Sequence, residues 1–239
     1  MSKPTDGKPR IMVAIPAYNE GTFIDGIVSG ARRHSHTVVV IDDGSTDDTS
    51  REASASGATV VRNETNRGYG EAIRRGFEVA KAEGVDVLVT LDGDGQHNPM
   101  EIPELLRPIL EGKADLVIGS RLLQPQEETG RTRMPTYRRF GIRVITGLFN
   151  VGSKTRISDA QSGFRAYGKR VLDSITLTET GMAVSVEAII KARAKGFVIQ
   201  ELPISCKYHS TSSTFNPVGH GLAVAFAVIR LRLRHGRML

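Results

Sequence analysis

The sequence predicts an α/β protein with a mostly parallel, doubly wound sheet. Short apolar, β-branched runs alternate with segments of helical periodicity through residues 11–121, and polar, acid-bearing segments follow several of these runs directly. In such a sheet helices cover both faces, and ligands bind beyond the carboxyl ends of the strands. The polar segments therefore predict a ligand site at one edge of the sheet.

The predicted elements follow one another in a regular order. Strands are expected at residues 11–15, 37–41, 58–61, 85–91 and 115–118, and strand character resumes at 197–208. Helices are expected at residues 22–33 and 181–194, from residues 66–70 to about residue 83, and after an N-cap at Ser45 or Asp47. Two further helices are expected, one that starts near Pro99 and one that ends near residue 150. Residues 122–135 lack periodicity and predict a mobile loop over a site.

Composition limits the class of protein and its partners. The 239 residues suit one α/β domain, or one domain with an appended element. Because the 32 Lys and Arg residues outnumber the 26 Asp and Glu residues, an anionic partner is expected. Nucleic acid, anionic lipid and phosphorylated substrates all qualify. The single cysteine, Cys206, excludes an intramolecular disulfide framework and fits a reducing compartment. Residues 1–10 are polar and predict a disordered lead-in that lacks a signal-peptide core.

Residues 85–99 form the most informative segment. An apolar run predicts a buried strand, and it leads into Asp92, Asp94 and Gln96, which alternate and can present oxygens to one ion. Mg²⁺ and Mn²⁺ take oxygen ligands, and Mg²⁺ commonly uses one or two carboxylates while substrate phosphates complete its shell. Gly93 and Gly95 would let a phosphorylated ligand approach the backbone. An Asp/Gly-rich turn that simply closes a strand is the alternative.

Six motifs occur in a fixed order along the chain. They are PAYNE at 16–20, IDDGSTDDT at 41–49, NRGYGEA at 66–72, LDGDGQHNP at 91–99, GSR at 119–121 and SGFRAY at 162–167. The set resembles glycosyltransferase family 2, and most closely its dolichol-phosphate mannose synthase and polyprenyl-phosphate glycosyltransferase branch, over residues 11–208. The resemblance implies a GT-A fold, a nucleotide-sugar donor, a divalent cation (Mg²⁺ or Mn²⁺) and inversion at the anomeric carbon.

The resemblance also implies roles for residues at the donor site. The nucleoside pocket would be lined by Pro16, Tyr18, Glu20, Ile41 and Asp43, with Asp42 adjacent. Asp92 would face the donor's ribose or the metal, while Asp94 and Gln96 would hold the metal against the diphosphate. A metal ion suits this reaction because negative charge builds on the β-phosphate oxygen as the sugar leaves.

Arginines are the candidates for the acceptor side. By resemblance, Arg121 corresponds to a phosphate-binding arginine and Arg139 to the arginine that meets a lipid phosphate, although a surface ion pair and a solvated helix face are the respective alternatives. An anionic lipid phosphate needs orientation and charge compensation more than a base, and the planar guanidinium supplies both. If the acceptor is a hydroxyl, Asp159 or Glu187 is the candidate base, although Glu187 could equally be a helix-surface charge.

The match weakens after residue 208. The mannose synthases carry an arginine and a lysine where this chain has His209 and Phe215, and residues 210–217 predict a flexible loop. In the final segment Leu222, Phe226, Ile229 and Leu233 form one helical stripe flanked by arginines. The apolar run is too short to span a bilayer, so the segment predicts either an in-plane membrane helix or a helix packed on the domain or in a homo-oligomer.

The sequence thus divides into a lead-in (1–10), a glycosyltransferase domain (11–208) and a loop with a basic amphipathic helix (209–239). We expect a metal-dependent, inverting transferase that moves a hexose from a UDP- or GDP-sugar to a polyprenyl (dolichyl) phosphate on the cytoplasmic face of a membrane, with no nucleic-acid partner. Transfer to a hydroxyl of a soluble or protein acceptor, and a non-catalytic module that binds nucleotide-sugar or lipid, are the alternatives.

Overall fold

The computed structural model describes residues 7–123, 134, 136–151, 156–207 and 217–235. The strands are β1 (Ile11–Ala17), β2 (Thr37–Asp42), β3 (Thr59–Arg62), β4 (Val87–Thr90), β5 (Leu116–Ser120), β6 (Arg165–Gly168) and β7 (Ile199–Pro203). The helices are α1 (Ile24–Arg32), α2 (Thr49–Ala55), α3 (Tyr69–Glu83), α4 (Ile102–Leu110), α5 (Thr136–Asn150), α6 (Lys169–Ser174), α7 (Ala183–Ala194) and α8 (Pro217–His235).

The strands form one sheet in the order β3-β2-β1-β4-β6-β5-β7. The pairs β1–β2, β1–β4, β2–β3 and β5–β7 are parallel, whereas β6 runs antiparallel to both β4 and β5. From β1 the chain moves outward to β2 and β3 and then returns to the other side of β1 as β4. The carboxyl ends of β1 and β4 therefore flank a topological switch point, where open α/β sheets bind their ligands.

Apolar side chains cover the sheet on both faces. One core cluster joins the sheet to α3, α5, α6, α7 and α8 and includes Phe77, Phe149 and Val228. The other joins the opposite face to α1, α2 and α4 and includes Ile24 and Leu105. The predicted α/β class and mostly parallel, doubly wound sheet are confirmed.

The structure adds an element that the sequence did not predict. Strand β6 begins inside the SGFRAY motif and is an interior strand of the sheet, between β4 and β5. Its first residue, Arg165, is buried because the guanidinium donates to the backbone oxygens of Ser162 (2.7 Å), Ser185 (2.5 Å) and Ala160 (2.8 Å). A four-residue strand that begins with arginine and ends with glycine has no hydrophobic alternation by which it could be recognised.

Helix α8 packs against α5 and α7, as the second of the two alternatives for the C-terminal segment predicted. Its buried side chains are Val224, Ala227, Val228 and Leu231. The predicted stripe is not this packed face, because Phe226 is 70% exposed and Ile229 is 50% exposed. Among the described residues, none of the helices combines the length and apolar character needed to cross a membrane.

Some of the predictions concern residues that lie outside the described ranges. They are most of the 122–135 loop, the loop at 210–216, His209 and Phe215, and the side chains of Leu222 and Leu233.

Candidate active site

The predicted donor side of the site begins where β1 and β2 end. Pro16 pairs in register with Ile41, and both are buried, while the following Tyr18 is exposed. Asn19 has a left-handed backbone with φ 58°, which is uncommon for a residue other than glycine. Its N–H donates to Ser45 Oγ (2.9 Å), and its Oδ1 accepts from Thr46 N (2.8 Å). The two loops are thus joined edge to edge at the switch point.

The consecutive carboxylates Asp42 and Asp43 are both buried and face different partners. Asp42 accepts from Ser45 N (2.8 Å) and Arg62 Nη1 (2.9 Å), and Ser50 Oγ donates to it as well. These bonds fix the turn after β2. The described contacts of Asp42 are therefore with the turn after β2, with α2 and with β3, and its place beside a nucleoside pocket stays a prediction.

Asp43 organises the start of α3. Its Oδ1 accepts from Asn63 Nδ2 (2.8 Å) and Arg67 N (2.9 Å), and its Oδ2 accepts from Gly68 N (2.6 Å). Gly68 has φ +90°, a conformation that L side chains rarely adopt. The carboxylate thereby fixes the backbone that brings the next residue, Tyr69, toward β4.

Asp92 follows β4 and has close neighbours from three segments of the chain. The Tyr69 hydroxyl donates to its Oδ1 at 3.1 Å, and His97 Nδ1 lies 3.6 Å from its Oδ2. A third neighbour, Gly163, comes so close that an added Cβ would lie 2.3 Å from Asp92 Oδ2. The position of Asp92 is therefore set by α3, by the segment after β4 and by the SGFRAY segment together.

Asp94 and Gln96 form a local pair. Gln96 N donates to Asp94 Oδ1 at 3.0 Å, and the Gln96 side-chain amide also donates to Asp94 Oδ2. The segment is braced by the strand-like residues after β7, because Lys207 N donates to the Gln96 backbone oxygen at 2.8 Å and Cys206 Sγ lies 3.8 Å from Gln96 Oε1. Asp94 and Gln96 are thus paired with each other, and the prediction that they hold a cation together with Asp92 stays a prediction.

The carboxylates at this edge share a negative field. Burial, followed by the charges of Asp94, Asp47 and Asp92, raises the pKa of Glu20 to about 7. Burial also raises the pKa of Asp92 and of Asp94, and the Asp92 charge contributes to the latter shift. Burial lowers the pKa of His97 to about 4, so its imidazole is neutral near pH 7. Concentrated negative charge of this kind favours binding of a cation.

The donor set fits Mg²⁺ or Mn²⁺ bound together with a phosphate. Within the described ranges, no group of three His, Cys, Asp or Glu side chains is arranged as a complete metal site. Two carboxylates and an amide oxygen are hard ligands, and they would leave coordination positions for the oxygens of a diphosphate.

Arg121 lies at the end of β5 and is clamped by Asp159. Its Nε and Nη2 donate to the two carboxylate oxygens at 2.7 and 2.9 Å. Burial opposes ionisation of Asp159, but the charge and hydrogen bonds of Arg121 outweigh it and hold the pKa of Asp159 below its usual value. Glu201 on β7 in turn fixes the backbone around Asp159, because it accepts from Ser158 N (2.6 Å), Ser158 Oγ (3.0 Å) and Asp159 N (3.0 Å).

Glu187, the other candidate base, is buried inside α7 and is fully engaged. It accepts from Thr178 N (2.9 Å), Thr178 Oγ1 (2.6 Å), Glu179 N (2.8 Å) and Lys191 Nζ (2.6 Å). Burial opposes its ionisation, but the hydrogen bonds from Lys191 and Thr178 lower its pKa overall. Arg139 lies half-buried on α5, and its role remains a prediction.

Sequence reasoning missed several residues that build the site. They are Tyr69, His97, Gly163, Arg165 and Glu201. All except Glu201 lie inside the recognised motifs. The hydrogen bond between Tyr69 and Asp92 spans 23 residues and that between Thr90 and Gly163 spans 73, so these contacts leave no local signal. Glu201 reads in the sequence as an ordinary polar strand residue.

The described residues thus place an acidic, oxygen-rich segment at the switch point of this α/β sheet and a clamped arginine at the end of β5. The family model described as "Glycosyl transferase family 2" matches residues 12–176. The chain belongs to this family.

Named relatives place the chain within the family. It is 29% identical to the UDP-N-acetylglucosamine–dolichyl-phosphate N-acetylglucosaminyltransferase of Methanococcus voltae, over 96% of this chain and 98% of that protein. It is 33% identical to the polyprenol monophosphomannose synthase of Mycolicibacterium smegmatis, over 82% of this chain and 77% of that protein. The chain is thus a glycosyltransferase related to transferases that act on polyprenyl phosphates.

A solved structure supports the fold. Glucosyl-3-phosphoglycerate synthase from Mycobacterium tuberculosis, crystallised with Mn²⁺, UDP and phosphoglyceric acid, superimposes with a TM-score of 0.72 over 95% of this chain and 78% of that chain. The two sequences are 24% identical, so the comparison bears on the fold alone.

Proposed function

We propose that this glycosyltransferase transfers a hexose from a UDP- or GDP-sugar to a polyprenyl phosphate, with the help of a divalent cation and with inversion at the anomeric carbon. The observation that carries the proposal is the acidic segment Asp92–Gln96 at the switch point, together with the Arg121–Asp159 pair at the end of β5, on the far side of β6. The names of the relatives from Methanococcus and Mycolicibacterium support a polyprenyl phosphate as acceptor.

The donor would lie across the ends of β1, β2 and β4. Pro16, Tyr18, Glu20, Ile41 and Asp43 would line the nucleoside pocket, with Asp42 beside it. Asp94 and Gln96 would hold the cation, with Asp92 on the cation or the donor's ribose. A bound cation supplies stabilisation of the negative charge on the departing diphosphate. The Tyr69 hydroxyl keeps the Asp92 carboxylate in position by a hydrogen bond, and the His97 imidazole lies 3.6 Å from it.

The acceptor side is cationic. Arg121, oriented by Asp159, would orient an anionic phosphate, and Arg139 would contact the same phosphate from α5. Such a nucleophile is already ionised and needs no general base. Asp159 and Glu187 are both engaged as hydrogen-bond acceptors with lowered pKa, which supports a phosphate acceptor over a hydroxyl acceptor.

The experiment is a transfer assay with labelled UDP- and GDP-sugars and a polyprenyl phosphate in the presence of Mn²⁺. We expect one nucleotide class to give glycosyl-phosphoryl lipid, and we expect Asp94→Asn to reduce turnover on the order of 10²–10³-fold with folding intact. Asp25→Asn, an exposed carboxylate on α1, is the matched control and should be neutral. Full activity of Asp94→Asn, or transfer only to hydroxyl acceptors, would contradict the proposal.

A further inference from the structure

Helices α5 and α8 carry an unusual share of the exposed apolar surface. Eleven large apolar or aromatic side chains are exposed in the part of the chain that the structure describes, and six of them belong to these two helices or the residue after α5. The six, which we call the α5–α8 surface, are Phe140, Val144, Leu148, Val151, Phe226 and Ile229. Phe140 and Phe226 are the most exposed, at 70% each.

The exposure follows from the helical period. On α5, Ile142, Ile145 and Phe149 are buried in the core. Phe140, Val144, Leu148 and Val151 are spaced i, i+4, i+8 and i+11, which places them on one stripe of the other face. Helix α5 is therefore apolar on both sides, and only one side is covered by the described residues.

The two helices that carry this surface contribute charge of one sign. Helix α5 (TYRRFGIRVITGLFN) and helix α8 (PVGHGLAVAFAVIRLRLRH) contain three arginines each and no Asp or Glu. Arg143 and Arg234 are exposed, whereas Arg230 is exposed but already paired with the Glu179 carboxylate. An anionic surface would meet apolar side chains and arginines together, whereas two copies of this chain docked face to face would bring arginines against arginines.

We propose that the α5–α8 surface docks on an anionic lipid bilayer, with both helices lying in the interfacial plane. The apolar side chains enter the boundary between headgroups and acyl chains, and the arginines extend to the lipid phosphates. Docking uses α5 as well as α8, so it differs from insertion of the C-terminal helix alone.

Helix α5 links the α5–α8 surface to the segment that positions Arg121, the predicted acceptor arginine. The buried side of α5 is bonded to the segment that carries Asp159, because Thr146 Oγ1 accepts from Ala160 N (3.3 Å) and Asn150 exchanges two hydrogen bonds with Ile157 (2.6 and 2.9 Å). Asp159 in turn clamps Arg121. This inference rests on the proposed function: docking would bring Arg121 and Arg139 toward the depth in the bilayer at which lipid phosphates lie.

The experiment is co-sedimentation of the full chain with phosphatidylcholine vesicles that contain either no anionic lipid or roughly 30% phosphatidylglycerol. We expect binding to the anionic vesicles and a loss on the order of tenfold or more for Phe140→Gln with Leu148→Gln. Leu110→Gln with Met100→Gln removes two similarly exposed side chains elsewhere and should bind as the wild type does. Arg143→Gln with Arg234→Gln should weaken binding only to anionic vesicles, by about fivefold per arginine.

Each outcome decides the proposal separately from the proposed function. A wild-type protein that ignores anionic vesicles, or stripe variants that bind them normally, would overturn docking. Docking would also be overturned if the protein had no affinity for vesicles and formed a dimer that dissociated in the variant with both Phe140→Gln and Leu148→Gln. A second copy of the chain would then cover the surface. Transfer to a short-chain polyprenyl phosphate in solution is measured in parallel: vesicle binding without any transfer refutes the function and leaves docking supported.

Discussion

Asp92 occupies a space whose size depends on a glycine. A Cβ added to Gly163 would lie 2.3 Å from Asp92 Oδ2 and 2.4 Å from Oδ1, distances that real Cβ atoms do not tolerate. The carboxylate cannot easily retreat, because Tyr69 holds Oδ1 and His97 lies against Oδ2. The glycine of SGFRAY is thus required by the geometry of the predicted donor and metal residue.

Replacing Gly163 by alanine should therefore displace Asp92. We expect a stability cost of about 1–3 kcal/mol and affinity for a Mn²⁺–nucleotide reduced on the order of tenfold or more. Gly26→Ala on exposed α1, where an added Cβ has no neighbour within 4 Å, is the control and should be neutral or stabilising by up to about 1 kcal/mol. Isothermal titration together with urea unfolding measures both quantities. Unchanged nucleotide affinity in Gly163→Ala would show that Asp92 has room to move.

Glu20 makes stability depend on pH in a defined direction. Its pKa is raised from 4.5 to about 7, so between these values the folded state holds a proton that the unfolded state has released. Stability is therefore lost as pH rises from about 5 to about 8. Glu20→Gln should match the wild type near pH 5 and exceed it near pH 8 by about 1–3 kcal/mol, after allowance for solvent screening.

Urea unfolding in EDTA at the two pH values measures this difference. Glu78→Gln, an exposed carboxylate on α3, serves as the control and should give the same small effect at both pH values. A Glu20→Gln variant that gains no stability between pH 5 and pH 8 would contradict the shared negative field at the strand ends.

Sequence reasoning could locate the charged groups of the site but not the groups that hold them. Asp92, Asp94 and Gln96 are close in the chain, so their alternation was visible. The contacts of Asp92 with Tyr69 and Gly163 depend on how α3 and the SGFRAY segment pack beside β4. Asp159 was expected as a base, and its clamp on Arg121 became visible only through the three-dimensional pairing.

Helix α8 caps the C-terminal end of α5 through the side chain of Arg232. Arg232 Nη1 donates to the backbone oxygens of Leu148 (2.8 Å) and Phe149 (3.0 Å), and its Nη2 donates to that of Val151. The last carbonyls of a helix lack partners within the helix, and a cationic donor there also complements the helix dipole. The C-terminal helix thus stabilises the end of α5 through a side chain.

Arg232→Ala should expose these carbonyls to solvent and loosen the last turn of α5. We expect a stability loss of about 1–2 kcal/mol and faster amide hydrogen exchange in residues 147–151, with exchange in β1 and β4 changed only through the global loss. Arg234→Ala, an exposed arginine on the same helix, should leave both properties near those of the wild type. Slow exchange at residues 147–151 in Arg232→Ala would contradict the capping role.

The element predictions succeeded where hydrophobic periodicity was strong and failed where burial is achieved by polar bonds. Helix α3 begins and ends within the predicted segment, because its apolar positions recur at helical spacing. Strand β6 was missed because Arg165 is buried by three carbonyl contacts. On α8, both the buried and the exposed faces are apolar, so the sequence could not show which one packs on the domain.

At the scale of the molecule, the parallel order of β2, β1 and β4 brings three acid-bearing strand ends to one edge, and β5 adds Arg121 on the far side of β6. The acidic and cationic parts suit a metal-bound diphosphate and an anionic acceptor, respectively. We propose that the nucleotide binds through a cation held by the Asp92–Gln96 segment.

The most direct test is thermal unfolding of the wild type and Asp94→Asn with UDP or GDP, in Mn²⁺ and in EDTA. A ligand present at about 100 times its Kd adds about 2.7 kcal/mol, or roughly 5–10 °C for a chain of this size. We predict such a rise for one nucleotide in Mn²⁺, lost both in EDTA and in Asp94→Asn. An equal rise in EDTA, or in Asp94→Asn with Mn²⁺, would contradict the account.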